Sequence, residues 1–222
     1  MPQRRDAAIV GIHEYPLRVA PGVSSLQIKA ASAAAALADA GLRWSDVDAL
    51  YDTAGDQNIG GLGIAEYFGF KPRVIDTTYV GGSSFEFQAN HALTMIAAGK
   101  CNVALLTYGS TAHSDRRAIG PAVATGVGPA TFINHMEDPW GLTLIGNYAM
   151  VKTRHMHQYG TTNAQFAHIS VATRRHAMRN PEAVQAMQDL ELLPGAREIT
   201  VQDVLESRMI AQPLHLLESC II

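Results

Sequence analysis

The sequence predicts a layered α/β protein with a largely parallel sheet. Segments of strand character alternate with segments of helix character through the first 108 residues. Two of the strand segments, residues 7–12 and 102–108, are nearly continuous apolar runs, which are typical of strands buried on both faces of a parallel sheet. Because parallel strands joined by helices form right-handed crossovers, this alternation predicts a sandwich of helices and sheet.

The first half of the chain supplies four predicted strands and three predicted helices. The strands are predicted at residues 7–12, 49–51, 74–80 and 102–108. The helices are predicted from Ser24 or Ser25 to about Ala40, over residues 60–70, and from Ser83 or Ser84 to Gly99. Serine at the start and glycine at the end are common helix boundaries, and an alanine-rich helix such as the first can pack closely on a sheet.

The second half of the chain is predicted to be mainly helical. Residues 110–140 hold many glycines and prolines without a clear period, and such long irregular segments are usually functional or flexible. Helices are predicted at residues 142–159, 163–178 and 201–210, with a shorter helical stretch at 182–189. Residues 214–222 are predicted to begin a strand.

Composition and charge limit the function classes. Hydrophobic residues make up 47% of the chain and charged residues 17%, so the chain can bury a core. A formal net charge of −3 provides no basic field for nucleic acid or an anionic membrane. Cys101 and Cys220 do not make a disulfide scaffold, and no leader or membrane-spanning run is visible. We therefore expect a cytoplasmic protein.

The segment from Val74 to Gly99 carries the strongest candidate chemistry. It is a short strand, a glycine-serine turn and a long helix. Gly81 and Gly82 allow a sharp turn and leave room for a ligand to approach the backbone. A serine beside free N–H groups at such a turn can be a nucleophile or part of an oxyanion site, or it can cap the helix. Capping is the more common role of serine at a helix start.

Other patterns give weaker signals. The nine histidines show no HExxH or CxxC arrangement, so no metal site is predicted, and Gly60–Gly63 lacks the lysine of a phosphate loop. Both cysteines stand in apolar contexts and look structural. Five basic residues of the helical half could face an anionic ligand such as a nucleotide phosphate or form a solvated surface. They are Lys152, Arg154, Arg174, Arg175 and Arg179.

The order of these motifs resembles the thiolase superfamily, and more narrowly its sterol-carrier/lipid-transfer type. The matching segments are AAIVGIHEYP, ALADAGLRWSDVDALY, TTYVGGSSFEFQANHALTMIAAGKCNVALLTYGS, YAMVKTRHMHQYGTTNAQFAHISVATRRHAMRNP and VQDVLESRMIAQPLHLLESC. The resemblance implies one half of a two-fold repeated thiolase-like αβα sandwich, with an inserted helical loop domain that helps to hold coenzyme A. Residues 1–118 would form the α/β half, 119–208 the loop domain, and 209–222 the start of the return strand. The second half would be absent, so we expect a truncated chain.

The resemblance also bears on the chemistry of the turn. A true thiolase carries its nucleophilic cysteine there, and Gly81 or Gly82 takes that place in this sequence. Without a thiolate there is no acyl-enzyme, so the chain resembles cysteine-less lyases that cleave β-hydroxy acyl-CoAs of the steroid type by a retro-aldol reaction. The candidate oxyanion and pocket residues are Tyr79, Gly81, Gly82, Ser83 and Ser84.

The remaining expectations come from the same resemblance. The acid/base residues, as tyrosines, would lie in the absent half, so no catalytic residue or coenzyme A contact is named in this chain. Coenzyme A would enter only as part of the substrate, with no further cofactor. The family implies a homodimer with the third strand and its helix at the interface, and often a small OB-fold partner. Two alternatives stay open: a non-catalytic acyl-CoA-binding, lipid-binding or scaffolding subunit, and an acyltransferase that uses serine.

Overall fold

The computed structural model describes residues 7–53, 60–112, 114–115 and 144–219. The chain divides into two compact units, Met1–Asp115 and Arg116–Ile222. The irregular segment predicted at residues 110–140 lies almost wholly outside the described residues, and the domain boundaries predicted after residues 118 and 208 remain predictions.

A parallel sheet of three strands is the centre of the first unit. Strand β1 (Ala49–Asp52) lies between β2 (Val74–Thr77) and β3 (Ala104–Thr107), and both pairings are parallel. Tyr51 of β1 stands opposite Asp76 of β2. The predicted α/β class and parallel sheet are therefore confirmed, although β2 and β3 are shorter than predicted.

Helices cover both faces of this sheet. They are α1 (Ser25–Asp39), α2 (Gly60–Phe68) and α3 (Ser84–Ala97). Because successive strand residues point to opposite faces, Leu50 packs in a core with α1 and α2, while Tyr51 packs in a second core with α3. Helix α3 thus lies against the face of the sheet that carries Tyr51.

Local signals at the helix ends are largely confirmed. Ser24 caps α1 by accepting a hydrogen bond from the amide of Gln27. After α1, Gly41 adopts a φ of +68°, and after α3, Gly99 adopts a φ of +67°. Glycine tolerates this left-handed conformation, which commonly follows the last helical turn.

Residues 7–12 do not form the buried strand that their apolar sequence predicts. Ile9 is 87% exposed and Val10 is 62% exposed. The amide of Ile12 donates a 3.0 Å hydrogen bond to the carboxylate of Asp39, so the segment runs beside the end of α1. An apolar run becomes a strand only when another strand pairs with it, and none of the described strands pairs with residues 7–12. The prediction was wrong for this reason.

The described part of the second unit is mainly helical, as predicted. Its elements are α4 (Leu144–Tyr159), α5 (Asn163–Ala177), α6 (Pro181–Asp189), α7 (Val201–Glu206), β4 (Met209–Ala211) and β5 (Leu214–His215). Ala167, Ile199 and Val204 form its buried apolar cluster. Strands β4 and β5 pair with each other in antiparallel orientation.

The end of the second unit differs from the prediction in two ways. The helix predicted to reach residue 210 ends at Glu206, because Ser207 adopts an extended backbone with a ψ of 157°. The strand predicted over residues 214–222 is limited to two residues, and a 3-10 turn follows it at Leu216–Glu218. Residues 220–222 lie outside the described residues.

Candidate functional site

The glycine-serine turn lies between the end of β2 and the first residue of α3. Gly81 has a φ of +71°, in the left-handed region that favours glycine. No described atom lies within 4 Å of the position that a Cβ would occupy at Gly81 or at Gly82. Tyr79, just before the glycines, is 73% exposed. The outer side of the turn is therefore open and without side chains at its centre.

The two serines of the turn do not form the predicted side-chain cap. Ser83 stands at the N-cap position, but its backbone is helical and its hydroxyl makes no capping hydrogen bond. The fully buried Ser84 points back into the turn. Its Oγ accepts a 2.9 Å hydrogen bond from the amide of Val80 and donates a 2.6 Å hydrogen bond to the carbonyl of Gly81. Ser84 therefore closes the turn rather than capping the helix.

The start of α3 presents the positive end of a helix to this turn. The first four N–H groups of a helix have no acceptor inside the helix and carry a partial positive charge. The amide of Ser84 donates to the carbonyl of Gly81 at 3.1 Å, and the amide of Phe87 donates to that of Ser83 at 3.3 Å. The N–H groups at such an end are suited to an anionic oxygen.

Further polar side chains of α3 contact the strand residues that lead into the turn. Gln88, which is fully buried, donates from Nε2 to the carbonyl of Thr78 at 3.3 Å. His91 Nδ1 lies 2.6 Å from Asp76 Oδ2, and the hydroxyl of Thr78 donates to Asp76 Oδ1 at 2.8 Å. Sequence reasoning did not select Gln88, His91 or Asp76. The signal that could have found them is the spacing of Ser84, Gln88 and His91, at i, i+4 and i+7 on one helix face.

Two buried groups near these contacts are chemically inert at neutral pH. Burial raises the pKa of Tyr51 to about 12; the Cys101 thiolate, which forms only at high pH, and the carboxylate of Asp76 add to this shift. Tyr51 is therefore a neutral phenol, and its Oη has no hydrogen-bond partner among the described residues. Burial also raises the pKa of the Cys101 thiol, so this cysteine stays protonated and is a poor nucleophile. Its predicted structural role agrees with this placement.

A buried ion pair lies where β1 and β3 end. Lys29 Nζ is 3.0 Å from Asp52 Oδ1, and both side chains are almost completely buried. The hydroxyl of Thr107 donates to Asp52 Oδ2 at 2.6 Å. Ligands of α/β proteins often bind at the carboxyl ends of strands, but these three side chains bind one another. The network joins α1 to two strands and is structural.

The five basic residues for which an anionic ligand or a solvated surface stayed open divide into two groups. Lys152 is buried, with its Nζ 2.5 Å from Glu218 Oε1 and 3.1 Å from the carbonyl of Pro213. Arg174 donates to the carbonyl of Gly195 at 2.9 Å, so both side chains make contacts inside their own unit. The other three are exposed: Arg154, Arg175 and Arg179.

The described part of the chain shows neither a metal-binding cluster nor a membrane-spanning helix. No group of three histidine, cysteine or acidic side chains there could hold a metal ion. None of the described helices combines the length and apolar character needed to cross a membrane. His113, His135 and Cys220 lie outside the described residues.

Two curated proteins similar to this chain are a lyase and an aldolase. The chain is 32% identical over 230 residues to the 17-hydroxy-3-oxo-4-pregnene-20-carboxyl-CoA lyase of Mycobacterium tuberculosis. This alignment covers 97% of this chain and 54% of the relative. The chain is also 32% identical over 226 residues to the steroid side-chain-cleaving aldolase of Thermomonospora curvata. This second alignment covers 96% of this chain and 53% of the relative. None of the protein-family models matches the chain.

The fold is also similar to a solved structure. The chain superposes on the Ltp2-ChsH2(DUF35) aldolase with a TM-score of 0.78 and 29% identity, over 96% of this chain and 52% of that chain. It spans about half the length of the curated relatives that it matches. The similarity therefore extends over nearly the whole chain.

Proposed function

We propose that this chain, which belongs to the thiolase-like family of the sterol-carrier type, contributes to a carbon–carbon lyase that cleaves a β-hydroxy acyl-CoA. The proposed substrate is an intermediate of steroid side-chain shortening. The observation that carries this proposal is the similarity of nearly the whole chain to a lyase and an aldolase that are named for such substrates. A turn that offers backbone donors without a cysteine agrees with it.

The proposed reaction is a retro-aldol cleavage. A base removes the proton of the β-hydroxyl group, and the Cα–Cβ bond breaks. The bonding electrons pass into the thioester as an enolate while the β-carbon becomes a ketone, and Cα then takes up a proton. This reaction requires a base and hydrogen-bond donors for the enolate oxygen, but no covalent nucleophile.

We assign the enolate site to the start of α3. Gly81 and Gly82 leave the outer side of the turn free of side chains, which gives space for a bulky acyl group. The helix N-terminus favours the negative charge that develops on the thioester oxygen. Ser84 is unsuited to the alternative of a serine acyltransferase, since it is buried and both of its hydrogen bonds are made to the turn. We assign no general base within this chain.

The proposal includes protein partners. A homodimer through β2 and α3 is supported by the position of β2 at an edge of the described sheet. It is also supported by exposed hydrophobic side chains beside that edge, namely Ile75, Val80 and Phe87. A small partner protein is supported by the similar solved structure, which is that of an Ltp2-ChsH2(DUF35) aldolase. We propose that this partner has an OB fold.

A cleavage assay tests the lyase function. The full-length protein, alone and with a candidate small partner, is incubated with a β-hydroxy steroid acyl-CoA, and the products are identified by mass spectrometry. We expect a ketone and a shortened acyl-CoA in equal amounts. The matched control is the same thioester without its β-hydroxyl group, which should stay intact. Tight binding of the β-hydroxy thioester without cleavage would favour the binding-subunit alternative.

A side chain added to the turn tests where the enolate site lies. Gly82→Val introduces a side chain into the open space without requiring a left-handed residue, so folding should persist. We expect kcat/KM to fall by at least about tenfold, because small displacements of reacting groups are costly. An unchanged kcat/KM in the folded variant would place the site elsewhere.

A further inference from the structure

We infer that Ser84, Gln88 and His91 are positioning residues that hold the glycine-serine turn in place. This inference rests on the proposed role of the turn as the enolate site, and it names the side chains that fix its geometry. The three form a polar stripe along α3, where a helix packed on a sheet usually presents apolar side chains. The stripe faces the residues that lead from β2 into the turn.

The stripe and its targets are arranged in matching order. Ser84, at the start of α3, bonds to Val80 and Gly81 within the turn. One helical turn later Gln88 bonds to the carbonyl of Thr78, and His91, three residues further along, bonds to Asp76 in β2. The spacing of i, i+4 and i+7 therefore ties three successive points of the incoming chain to one helix face.

Burial makes these contacts more than surface hydrogen bonds. Ser84 and Gln88 are both fully buried. A buried polar side chain destabilises a protein unless it is hydrogen-bonded, whereas an apolar side chain of similar size would pack there without that requirement. Burying these polar side chains therefore costs free energy that helix–sheet packing alone does not require. Its hydrogen bonds all end on the segment that sets the path of the turn.

His91 acts on the turn through two other side chains. An ionised carboxylate only accepts hydrogen bonds, so the 2.6 Å contact with Asp76 Oδ2 assigns the proton to Nδ1 of His91. The second oxygen of Asp76 accepts from the hydroxyl of Thr78 at 2.8 Å. Thr78 is thereby held at its hydroxyl by Asp76 and at its carbonyl by Gln88.

The position of His91 along α3 argues against a role as the base of the proposed reaction. His91 lies seven residues after Ser84 on α3, which corresponds to about 10 Å along the helix axis. Reacting groups must approach to about 3–3.5 Å. His91 is therefore a positioning residue rather than a catalytic one.

Paired substitutions at His91 test the inference. His91→Leu removes the donor to Asp76, whereas His91→Asn keeps an amide N–H close to the place of Nδ1–H. We measure hydrogen exchange at residues 79–83 together with kcat and KM of the full-length protein. His91→Leu should speed exchange at the turn and lower kcat about tenfold with little change in KM, because the substrate still binds while the donors are misplaced. His91→Asn should restore the wild-type exchange rate and kcat. Asn90→Ala, at the exposed neighbouring position, should change neither quantity.

Substitutions of the two buried residues of the stripe provide a second test. Ser84→Ala and Gln88→Met remove hydrogen bonds with small changes in volume, and both should loosen the turn more than His91→Leu does. Wild-type exchange at the turn in folded His91→Leu, or a defect that His91→Asn does not repair, would overturn the inference. The exchange measurement needs no substrate. If the variants loosen the turn but the wild-type protein cleaves no acyl-CoA, positioning stands and the proposed lyase function fails.

Discussion

Helices α1 and α3 of the same unit begin in different ways. Ser24 precedes α1 in an extended backbone, and its Oγ accepts a 3.2 Å hydrogen bond from the amide of Gln27. The side chain of Gln27 accepts a 2.8 Å hydrogen bond from the amide of Ser24, which completes a capping box. Ser83 occupies the same position before α3, but it is helical and makes no side-chain cap.

The other helices with described N-caps follow α1. Thr162, Asn180 and Thr200 each accept a hydrogen bond from an amide in the first turn of α5, α6 or α7. Such caps occupy donors that would otherwise bind water or an anion. Among the α-helices whose N-caps the structure describes, α3 alone lacks a side-chain cap. Its nearby serine hydroxyl instead shapes the turn. The start of α3 therefore lacks the cap that stabilises the other helix starts, which agrees with the ligand site proposed there.

The largest expected effect on stability concerns the backbone of the turn before α3. Gly81→Ala places a Cβ on a residue with a φ of +71°, which should lower the free energy of unfolding by about 1–2 kcal/mol. Gly82→Ala is the matched control, since Gly82 has no positive φ and equally open space. Urea denaturation of the purified chain measures both variants. Equal midpoints for them would show that the turn can relax its left-handed residue.

A smaller effect is expected from the caps themselves. Ser24→Ala removes the capping box of α1 and should lower the free energy of unfolding by about 1 kcal/mol. Ser83→Ala removes a hydroxyl without a capping bond, so its effect should stay within about 0.5 kcal/mol. Thermal denaturation of the two variants compares them directly. The contrast between the two helix starts fails if Ser83→Ala is as destabilising as Ser24→Ala.

The smallest effect, and one that depends on pH, is expected at the exposed cap of α7. Hydrogen bonds from Arg197 and from the amide and hydroxyl of Thr200 hold the pKa of Asp203 well below its usual range. A depressed carboxyl pKa contributes stability that is fully present above the unfolded pKa of about 4 and is lost as the pH falls towards the folded value. Asp203→Asn should therefore lower the urea midpoint at pH 7 and reduce its decline towards pH 3. If the urea midpoints of the wild type and of Asp203→Asn depended on pH in the same way, Asp203 would not contribute to the pH dependence of stability.

Sequence reasoning predicted best those elements that depend on neighbouring residues. Ser24 and Gly41 bound α1 because capping and left-handed glycine are local effects. Strand β1 followed from its buried apolar run. The same rule failed at residues 7–12, because pairing depends on a distant strand. The helix prediction was also wrong at residues 207–210. The helical pattern of the sequence continues past Ser207, but Met209–Ala211 pairs with β5 instead.

The candidate site was predicted only in part, because its turn depends on local residues while its side-chain contacts depend on tertiary packing. Gly81 and Gly82 mark a turn by their own conformational freedom, so the sequence reveals its position. The polar stripe of α3 was missed because Gln88 and His91 at helical spacing also describe a solvent-exposed face. Only the residues opposite them, Asp76 in β2 and Thr78 just after it, distinguish a buried contact from an exposed one. Those partners are set by tertiary packing.

The stripe on α3 also restricts how this segment can change its length. Each added residue rotates the rest of a helix by about 100°. A single insertion between Ser84 and Gln88 would therefore turn Gln88 and His91 away from Thr78 and Asp76 together. An insertion beyond His91 would leave all three contacts in register. The sixteen positions from Asp76 to His91 thus form a stretch of constant length, in which substitutions are easier to accommodate than insertions or deletions.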